Sequence, residues 1–142
     1  MNVTADYSIL ITDDDPGCRA ALRDVLEPAG YRTLQAQSGE EAVDIVRELP
    51  VHALLLDMNM PRLSGLETVE LVHQMNAQLP CILVTADADP GLMRRAFQAH
   101  VYSVIPKPVS KNVVLYTVVR ALVRVYGSPG RPQENPQGER DT

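Results

Sequence analysis

Reactive side chains follow four apolar segments of this chain, each with the composition of a β-strand. They are the run Asp13-Asp14-Asp15 after ILIT, Asp57 after LLL, Thr85 after ILV, and Lys107 in the segment IPKP after VYSV. Because the carboxyl ends of parallel strands open onto one crevice, these side chains are expected to converge there. Carboxylates in such a crevice favour a hard cation such as Mg²⁺, and the cation, the hydroxyl and the ammonium together would hold a phosphoryl group. The pattern therefore predicts a switch that accepts a phosphoryl group.

Asp57 and the acidic run are the most informative of these residues. Asp57 closes the apolar strand ALLLD, so its carboxylate must face the crevice or be buried without a partner, which is costly. We interpret it as the nucleophile that accepts the phosphoryl group; the alternative is an ordinary polar end of a strand. Asp13 and Asp14 repel each other and need a cation or water to stay ionised together. Asp15 fits a plainer role, because it directly precedes Pro16 at the start of a helix.

Thr85 and Lys107 complete the set with a hydroxyl and an ammonium. The Thr85 hydroxyl is expected to hydrogen-bond a phosphoryl oxygen, with the small Ala86 leaving access to it; the alternative is a threonine that merely suits a strand. Lys107 stands between Pro106 and Pro108, which limit its backbone freedom. We interpret its ammonium as the partner of Asp57 at rest and of the phosphoryl group afterwards, rather than as a surface lysine. The bond before Pro108 is a candidate for the cis isomer.

Strand and helix patterns alternate along the chain. The strands are predicted at residues 8–12, 31–35, 53–57, 81–85 and 101–105, and the helices at 16–27, 38–49, 64–76, 90–99 and 110–126. The first, third and fourth strands are almost wholly apolar, as expected for strands buried on both faces. Helix starts are marked by Ser38 and Ser64, each followed three residues later by Glu, and by the Asp-Pro pair at Asp89. Five β-α repeats with short links imply a parallel sheet with right-handed crossovers.

Composition excludes several classes of function. The chain has 142 residues, 45% of them hydrophobic and 22% charged, which is enough for one domain with a core. Its net charge of -5, without a basic run, argues against direct nucleic-acid binding. Cys18 and Cys81 stand in no metal-ligand spacing and are predicted to be reduced thiols. Without a signal-peptide pattern or an apolar run of bilayer length, a cytoplasmic protein with no membrane contact is expected.

The last sixteen residues differ from the rest. The segment 127–142, GSPGRPQENPQGERDT, has no apolar side chain larger than Pro and is rich in Pro and Gly. Such a segment buries too little surface to offset its chain entropy, so we predict a disordered tail or the start of a linker. The folded domain is then expected to span residues 1–126.

The motifs together resemble the receiver domain of bacterial two-component response regulators, over about residues 8–126. ILITDDDP is similar to the acidic opening of that family, and DMNMPRLSG is similar to its Asp-x-x-Met-Pro-x-x-x-Gly segment. The Thr-Ala and Lys-Pro pairs also match, at Thr85 and Lys107. The resemblance implies a single-domain, chemotaxis-regulator-like protein with a flavodoxin-like (βα)5 fold of three layers. Its five-stranded parallel sheet would have the order 2-1-3-4-5.

The resemblance also implies roles for individual residues. Asp57 would be the phosphorylation site, and Asp14 would bind Mg²⁺ directly while Asp13 binds it largely through water. The backbone carbonyl of Asn59 would be a further Mg²⁺ ligand. Thr85 and Lys107 would bind phosphoryl oxygens. The donor would be the phosphohistidine of a sensor histidine kinase or a phosphotransfer protein, and the acyl phosphate would hydrolyse slowly by in-line attack of water.

Two other readings and one departure accompany this resemblance. A phosphatase or phosphotransferase with an Asp nucleophile typically carries a second carboxylate two residues later, where this chain has Asn59. A flavin-binding domain would need a phosphate-cradling loop after the first strand, where DDDP would repel a phosphate without Mg²⁺. Receiver domains usually carry an aromatic residue three positions before the lysine, and this chain has Val104 there, with Tyr102 nearby.

The last predicted helix is unusually apolar. On a helical wheel Thr117, Arg120 and Arg124 cluster on one narrow side, and apolar residues cover an arc of roughly 220°, wider than one sheet face needs. We expect part of this surface to meet a downstream protein or effector domain, or a second copy of the chain. Phosphorylation at Asp57 is expected to bias this contact, through Thr85 and the loop after it. The alternative is that neighbouring helices and the tail cover the surface.

Overall fold

A computed structural model describes residues 6–130 of the chain; residues 131–142 of the predicted tail lie outside the described residues. Five strands alternate with five helices, as the sequence predicts. The strands are β1 (Ser8–Thr12), β2 (Arg32–Ala36), β3 (Ala53–Asp57), β4 (Cys81–Thr85) and β5 (Ser103–Pro106). The helices are α1 (Pro16–Leu26), α2 (Gly39–Glu48), α3 (Gly65–Met75), α4 (Pro90–Gln98) and α5 (Lys111–Tyr126).

All strand pairs are parallel, and the order β2-β1-β3-β4-β5 confirms the predicted flavodoxin-like class. Successive residues of each strand point to opposite faces of the sheet, so Leu55 packs with α1 and α5 while Leu54 and Leu56 pack with α2, α3 and α4. Both layers are apolar, which is why the central strands β1, β3 and β4 are buried at every position.

Side-chain caps fix the starts of the helices. The Asp15, Ser38, Ser64, Asp89 and Ser110 side chains each accept a backbone N–H of the first turn of the helix that follows. At Ser64 the predicted capping box is complete, since Glu67 also accepts the Ser64 N–H at 2.9 Å. Within the described residues, no helix has both the length and the apolar character needed to cross a bilayer.

Three details differ from the sequence prediction. β2 and β5 begin one and two residues later than predicted, because the N–H groups of Tyr31 and Val101 donate to carbonyls of the preceding helices instead of joining the sheet. On α5, Thr117 does not share an exposed polar side with Arg120 and Arg124. It is buried, and its hydroxyl donates to the Val113 carbonyl at 2.7 Å. A threonine can face a core in this way, because its hydroxyl is satisfied within its own helix.

An aromatic cluster closes the amino edge of the sheet. The rings of Tyr7, His52 and Tyr126 lie 5.2–5.5 Å apart, centroid to centroid. The Tyr7 hydroxyl donates to the Ser128 carbonyl at 2.7 Å, and the Tyr126 hydroxyl donates to the His52 carbonyl at 3.2 Å. These contacts tie the end of α5 and the start of the predicted tail to the sheet. Within the described residues, the predicted tail thus contacts the folded domain as far as Gly130, which is buried.

His52 makes the stability of this edge depend on pH. Its Nδ1 accepts the Ser8 N–H at 3.0 Å, and burial, aided by the charge of Arg32, lowers the pKa of His52. The folded state therefore favours the neutral ring. The stabilisation that the neutral ring gives is fully present above the pKa of His52 in the unfolded chain, and it is lost as the pH falls below that value.

We expect His52→Asn, which keeps an acceptor but does not titrate, to reduce the loss of unfolding free energy between pH 7.5 and 5.5. Urea titrations followed by circular dichroism would measure this, and equal losses for both proteins would contradict it.

Candidate functional site

The predicted reactive side chains meet at the carboxyl edge of the sheet. Asp57 is the last residue of β3 and Thr85 the last of β4, while Asp13 follows β1 and Lys107 follows β5. The pairing of β1 with β3 runs Ile9 to Ala53, so the same register carries Asp13 to a position beside Asp57. The expectation that parallel strands deliver these residues to one crevice agrees with this arrangement.

Three carboxylates form the floor of the crevice. One oxygen from each of Asp13, Asp14 and Asp57 lies within 4.8 Å of the other two. Asp13 and Asp57 are buried, whereas Asp14 is exposed. A set of carboxylate oxygens with one solvent-facing member suits Mg²⁺, which prefers hard oxygen ligands and keeps several of its waters.

Lys107 supplies the compensating positive charge. Its Nζ lies 3.1 Å from Asp57 Oδ1 and 3.5 Å from Asp13 Oδ2, as predicted for the resting pair. Burial alone would lower the pKa of Lys107, but the hydrogen bond to Asp57 and the charge of Asp13 outweigh it, so the pKa is raised. The Lys107 N–H donates to the Thr85 carbonyl at 2.8 Å, and the bond to Pro108 is cis. The ammonium is therefore charged at neutral pH, and the Lys107 backbone is held at the end of β4.

Burial and the surrounding charged groups together set the pKa of Asp13. Burial raises its pKa, and the charges of Asp57 and Asp14 act in the same direction. The Asp15 N–H, which donates to Asp13 Oδ1 at 2.9 Å, and the Lys107 ammonium oppose this effect without cancelling it. A further positive charge at this point, such as a bound cation, would therefore be favourable.

Thr85 lies beneath the loop that follows β4. Its side chain is 1% exposed, and its Oγ1 accepts the Asp87 N–H at 3.1 Å. Because the oxygen is the acceptor in this bond, the hydroxyl hydrogen remains for another partner. The next residue, Ala86, is small and exposed.

The loop after β3 approaches the backbone of Asp57 closely. Asn59, two residues beyond Asp57, is exposed in this loop. Gly65 begins α3 against β3: a Cβ on Gly65 would lie 2.7 Å from the Asp57 carbonyl oxygen and 2.8 Å from Met58 Cα. The Gly65 N–H also donates to the Met58 carbonyl at 2.8 Å. Glycine is therefore required eight residues after Asp57, because any side chain would displace the loop.

Two arginine side chains make contacts that were not predicted from the sequence. Arg19 Nη1 donates to the Asp13 carbonyl at 2.5 Å, and its Nε donates to Gln35 Oε1 at 3.1 Å. Arg62, in the loop after β3, pairs with Glu40 at the start of α2. Arg19 did offer a signal, since a basic residue near the start of a helix opposes the helix dipole and so indicates a specific partner.

Val104, at the position three residues before Lys107 where receiver domains usually carry an aromatic residue, and the nearby Tyr102 face different sides of the sheet. Val104 is partly buried against the core shared with α2, α3 and α4, whereas Tyr102 packs on the core shared with α1 and α5. Tyr102 therefore does not stand in for an aromatic at position 104.

Both cysteines are free, as predicted. The hydrogen bond that Cys18 Sγ donates to Asp15 Oδ2, at 3.2 Å, raises the pKa of Cys18 to about 11. Burial raises the pKa of Cys81 to about 12. Both thiols therefore favour the protonated form at neutral pH.

The sequence of this chain is similar to those of known proteins. Residues 9–119 match the family described as the response regulator receiver domain. Response regulator RR06 of Streptococcus pneumoniae serotype 2 (strain D39 / NCTC 7466) is 31% identical over 119 residues, which cover 84% of this chain and 54% of that protein. The polar-differentiation response regulator DivK of Brucella ovis is 34% identical over 113 residues, which cover 78% of this chain and 92% of DivK.

Longer relatives contain the same region as one part. The sensor histidine kinase RcsC of Escherichia coli (strain K12) is 32% identical over 123 residues, which cover 87% of this chain but 13% of RcsC. The chain thus spans about half the length of RR06 and a small part of RcsC, but most of DivK.

Solved structures share the fold. A CheY-like receiver domain protein from Methanospirillum hungatei JF-1 superposes with a TM-score of 0.81 at 25% identity, covering 84% of this chain and 96% of that one. The signal receiver domain of an HD domain-containing protein from Pseudomonas fluorescens Pf-5 gives a TM-score of 0.82 at 22% identity, covering 87% and 100%. The second likeness concerns the fold alone.

Proposed function

Because the chain belongs to the response regulator receiver domain family, and is thus a phosphoacceptor module of two-component signalling, we propose that Asp57 accepts the phosphoryl group. The observation that carries this proposal is the Lys107 ammonium 3.1 Å from the Asp57 carboxylate, beside two further acidic side chains. An acceptor carboxylate needs a cationic environment before a dianionic phosphoryl group can approach it.

The other residues of the crevice take roles that follow from their chemistry. Asp13, Asp14, Asp57 and the backbone carbonyl of Asn59 would hold Mg²⁺, whose charge offsets that of the phosphoryl oxygens when it is bound. Asp14 is the exposed carboxylate and would be the direct ligand, with Asp13 acting largely through water. The Lys107 ammonium and the Thr85 hydroxyl would then donate to phosphoryl oxygens.

The transfer itself is a displacement at phosphorus. An Asp57 carboxylate oxygen attacks the phosphorus of a phosphohistidine, the O–P bond forms as the N–P bond breaks, and the imidazole nitrogen keeps the electron pair. The donor would be a sensor histidine kinase or a phosphotransfer protein, met in the cytoplasm. We propose that the chain catalyses only its own phosphorylation and slow hydrolysis, because Asn59 occupies the position where Asp-nucleophile phosphatases carry an acid.

The test is phosphorylation in vitro. The protein with Mg²⁺ and acetyl phosphate is expected to gain one phosphoryl group by intact-mass analysis, and with EDTA to gain none. The adduct should survive acid and be released by base, as an acyl phosphate is. Peptide mapping that places the phosphoryl group on a residue other than Asp57 would overturn the proposal.

We propose that the surface formed by α5 and its neighbours, β5 and α4, binds the partner that receives the signal. Tyr116 of α5 is 65% exposed and Phe97 of α4 is 82% exposed, with Val113 and Val123 also at the surface. Exposed aromatic side chains of this size are typical of protein–protein contacts. We propose that a downstream protein, an effector domain or a second copy of the chain binds here when Asp57 is phosphorylated.

A sedimentation experiment tests the homodimer. Beryllofluoride, which mimics the phosphoryl group, is expected to shift the protein from monomer toward dimer. Tyr116→Glu should weaken that dimer about tenfold or more, because it places a charge in the contact. Leu49→Glu is the matched control, since Leu49 is exposed at the end of α2, away from α5. Two results together would contradict the proposed surface. The protein would be a monomer with and without beryllofluoride, and Tyr116→Glu would abolish the capture of no partner protein.

A further inference from the structure

The loop that follows Asp57 is attached to α2 at a strained residue. Arg62 has φ 68°, in the left-handed region that non-glycine residues rarely occupy. Its Nε donates to Glu40 Oε2 at 2.9 Å, across 22 residues of sequence. Left-handed backbone at a bulky residue persists only where surrounding contacts hold it. The Arg62–Glu40 pair is one contact of this residue, and it joins the loop to α2.

The neighbouring residues allow α2 to approach this loop closely. A Cβ on Gly39, directly before Glu40, would lie 2.9 Å from Leu63 Cβ and closer still to Thr68 Oγ1. The start of α2 therefore lies directly on the Leu63 side chain, with no room for a side chain of its own at Gly39.

The same end of α2 is joined to the acidic run. The Asp13 N–H donates to the Ala36 carbonyl at 3.1 Å, at the end of β2. The connection onward to α2 is short and held by its own cap, since Gln37 N–H donates to Glu41 Oε1 at 2.7 Å. The stretch from Ala36 at the end of β2 to Glu40 in α2 thus contacts Asp13 at one end and, at the other, Arg62 and Leu63 of the loop that also carries Asn59.

We propose that Arg62 is a positioning residue that, through Glu40, fixes the loop bearing Asn59 relative to Asp13 and Asp14, and so sets the affinity of the crevice for a divalent cation. The inference rests on the proposed function, because it concerns the same metal site. Arg62 itself touches neither the cation nor the phosphoryl group. Its effect arises because displacement of the loop would displace a ligand, and partners behind a ligand commonly tune metal affinity.

The Arg62–Glu40 pair contributes little to the global stability of the protein. The Arg62 and Glu40 side chains are 69% and 43% exposed, and ion pairs this exposed contribute little to the free energy of unfolding. Arg47 and Asp44 form a comparable exposed pair on the same helix, with N···O 3.1 Å. That second pair joins residues within α2 only, so it serves as a matched control.

The experiment measures binding of Mn²⁺, a paramagnetic cation with similar oxygen preferences, by electron paramagnetic resonance. Arg62→Ala and Glu40→Ala are each expected to raise the Kd about three- to tenfold. The double variant should be no weaker than either single one, since both remove the same contact. Arg62→Lys, which keeps the charge, should restore most of the affinity, and Arg47→Ala should leave it unchanged.

The outcomes separate this inference from the proposed function. Wild-type binding that Asp14→Ala abolishes but that Arg62→Ala and Glu40→Ala leave unchanged would overturn the positioning role alone. Absence of Mn²⁺ binding by the wild-type protein would overturn both. Additive losses in the double variant would also overturn the inference, because they would indicate two separate effects. Thermal unfolding of each variant shows whether it is folded. If Arg62→Ala does not fold, Glu40→Ala still decides the question, because it leaves the left-handed residue Arg62 unchanged.

Discussion

Asp57→Asn is expected to reduce phosphorylation by acetyl phosphate in the presence of Mg²⁺ from near completion to none. Asparagine has nearly the same shape and can still accept a hydrogen bond from Lys107, but its amide oxygen cannot form a stable acyl phosphate. The variant should fold, because the exchange relieves repulsion among buried carboxylates that Asp57 shares with Asp13. Intact-mass analysis over a time course measures the effect directly.

Asp44→Asn provides the control for this experiment. Asp44 is an exposed carboxylate on α2 that pairs with Arg47, so its loss should leave the yield of phosphorylated protein unchanged. An unchanged yield for Asp57→Asn, with circular dichroism showing a native fold, would show that another residue accepts the phosphoryl group.

The second large effect is expected from the acidic pair. Asp14→Ala should abolish metal-dependent phosphorylation, and Asp13→Ala should only weaken it. The structure gives a reason for this difference: Asp14 is exposed and free to meet a hydrated cation, whereas the Asp13 carboxylate already accepts the Asp15 N–H and lies 3.5 Å from Lys107. A ligand engaged in other contacts contributes less to the metal than one directed at it.

Initial rates measured across a series of Mg²⁺ concentrations distinguish the two variants. Asp13→Ala should recover at high Mg²⁺, and Asp14→Ala should remain at least about tenfold slower. If Asp14→Ala is phosphorylated as fast as wild type at low Mg²⁺, the ligand assignment is wrong.

The convergence of these side chains could be predicted from the sequence because each of them stands at or just after the end of a strand. Asp57 and Thr85 each close an apolar run, and the direction of a parallel sheet then brings them together without further information. The helix starts were also predictable, since a side chain such as Ser64 caps groups only a few residues away. The identity of the helices and strands, and the convergence of the reactive side chains, therefore follow from short-range sequence patterns.

Contacts between distant segments could not be predicted in this way. Neither Arg62 nor Glu40 has a local feature that indicates the other, 22 residues away, and the left-handed backbone of Arg62 has no signature in an arginine. The position of Arg19 near the start of α1 indicated a specific partner, but not that this partner would include Gln35, 16 residues away. The burial of Thr117 was likewise unexpected, because a helical wheel shows which residues share a side but not which side faces the sheet.

The aromatic cluster of Tyr7, His52 and Tyr126 has a practical consequence for studying this protein. It holds the backbone at Ser128 against the amino edge of the sheet, whereas Asp57 opens at the carboxyl edge, one strand length of roughly 17 Å away. A dye, an affinity handle or a sensor surface attached beyond Gly130 would therefore start on the far side of the molecule from the crevice. Immobilised protein should keep its acceptor side open to a donor kinase, so transfer kinetics can be followed on a chip without blocking the reaction.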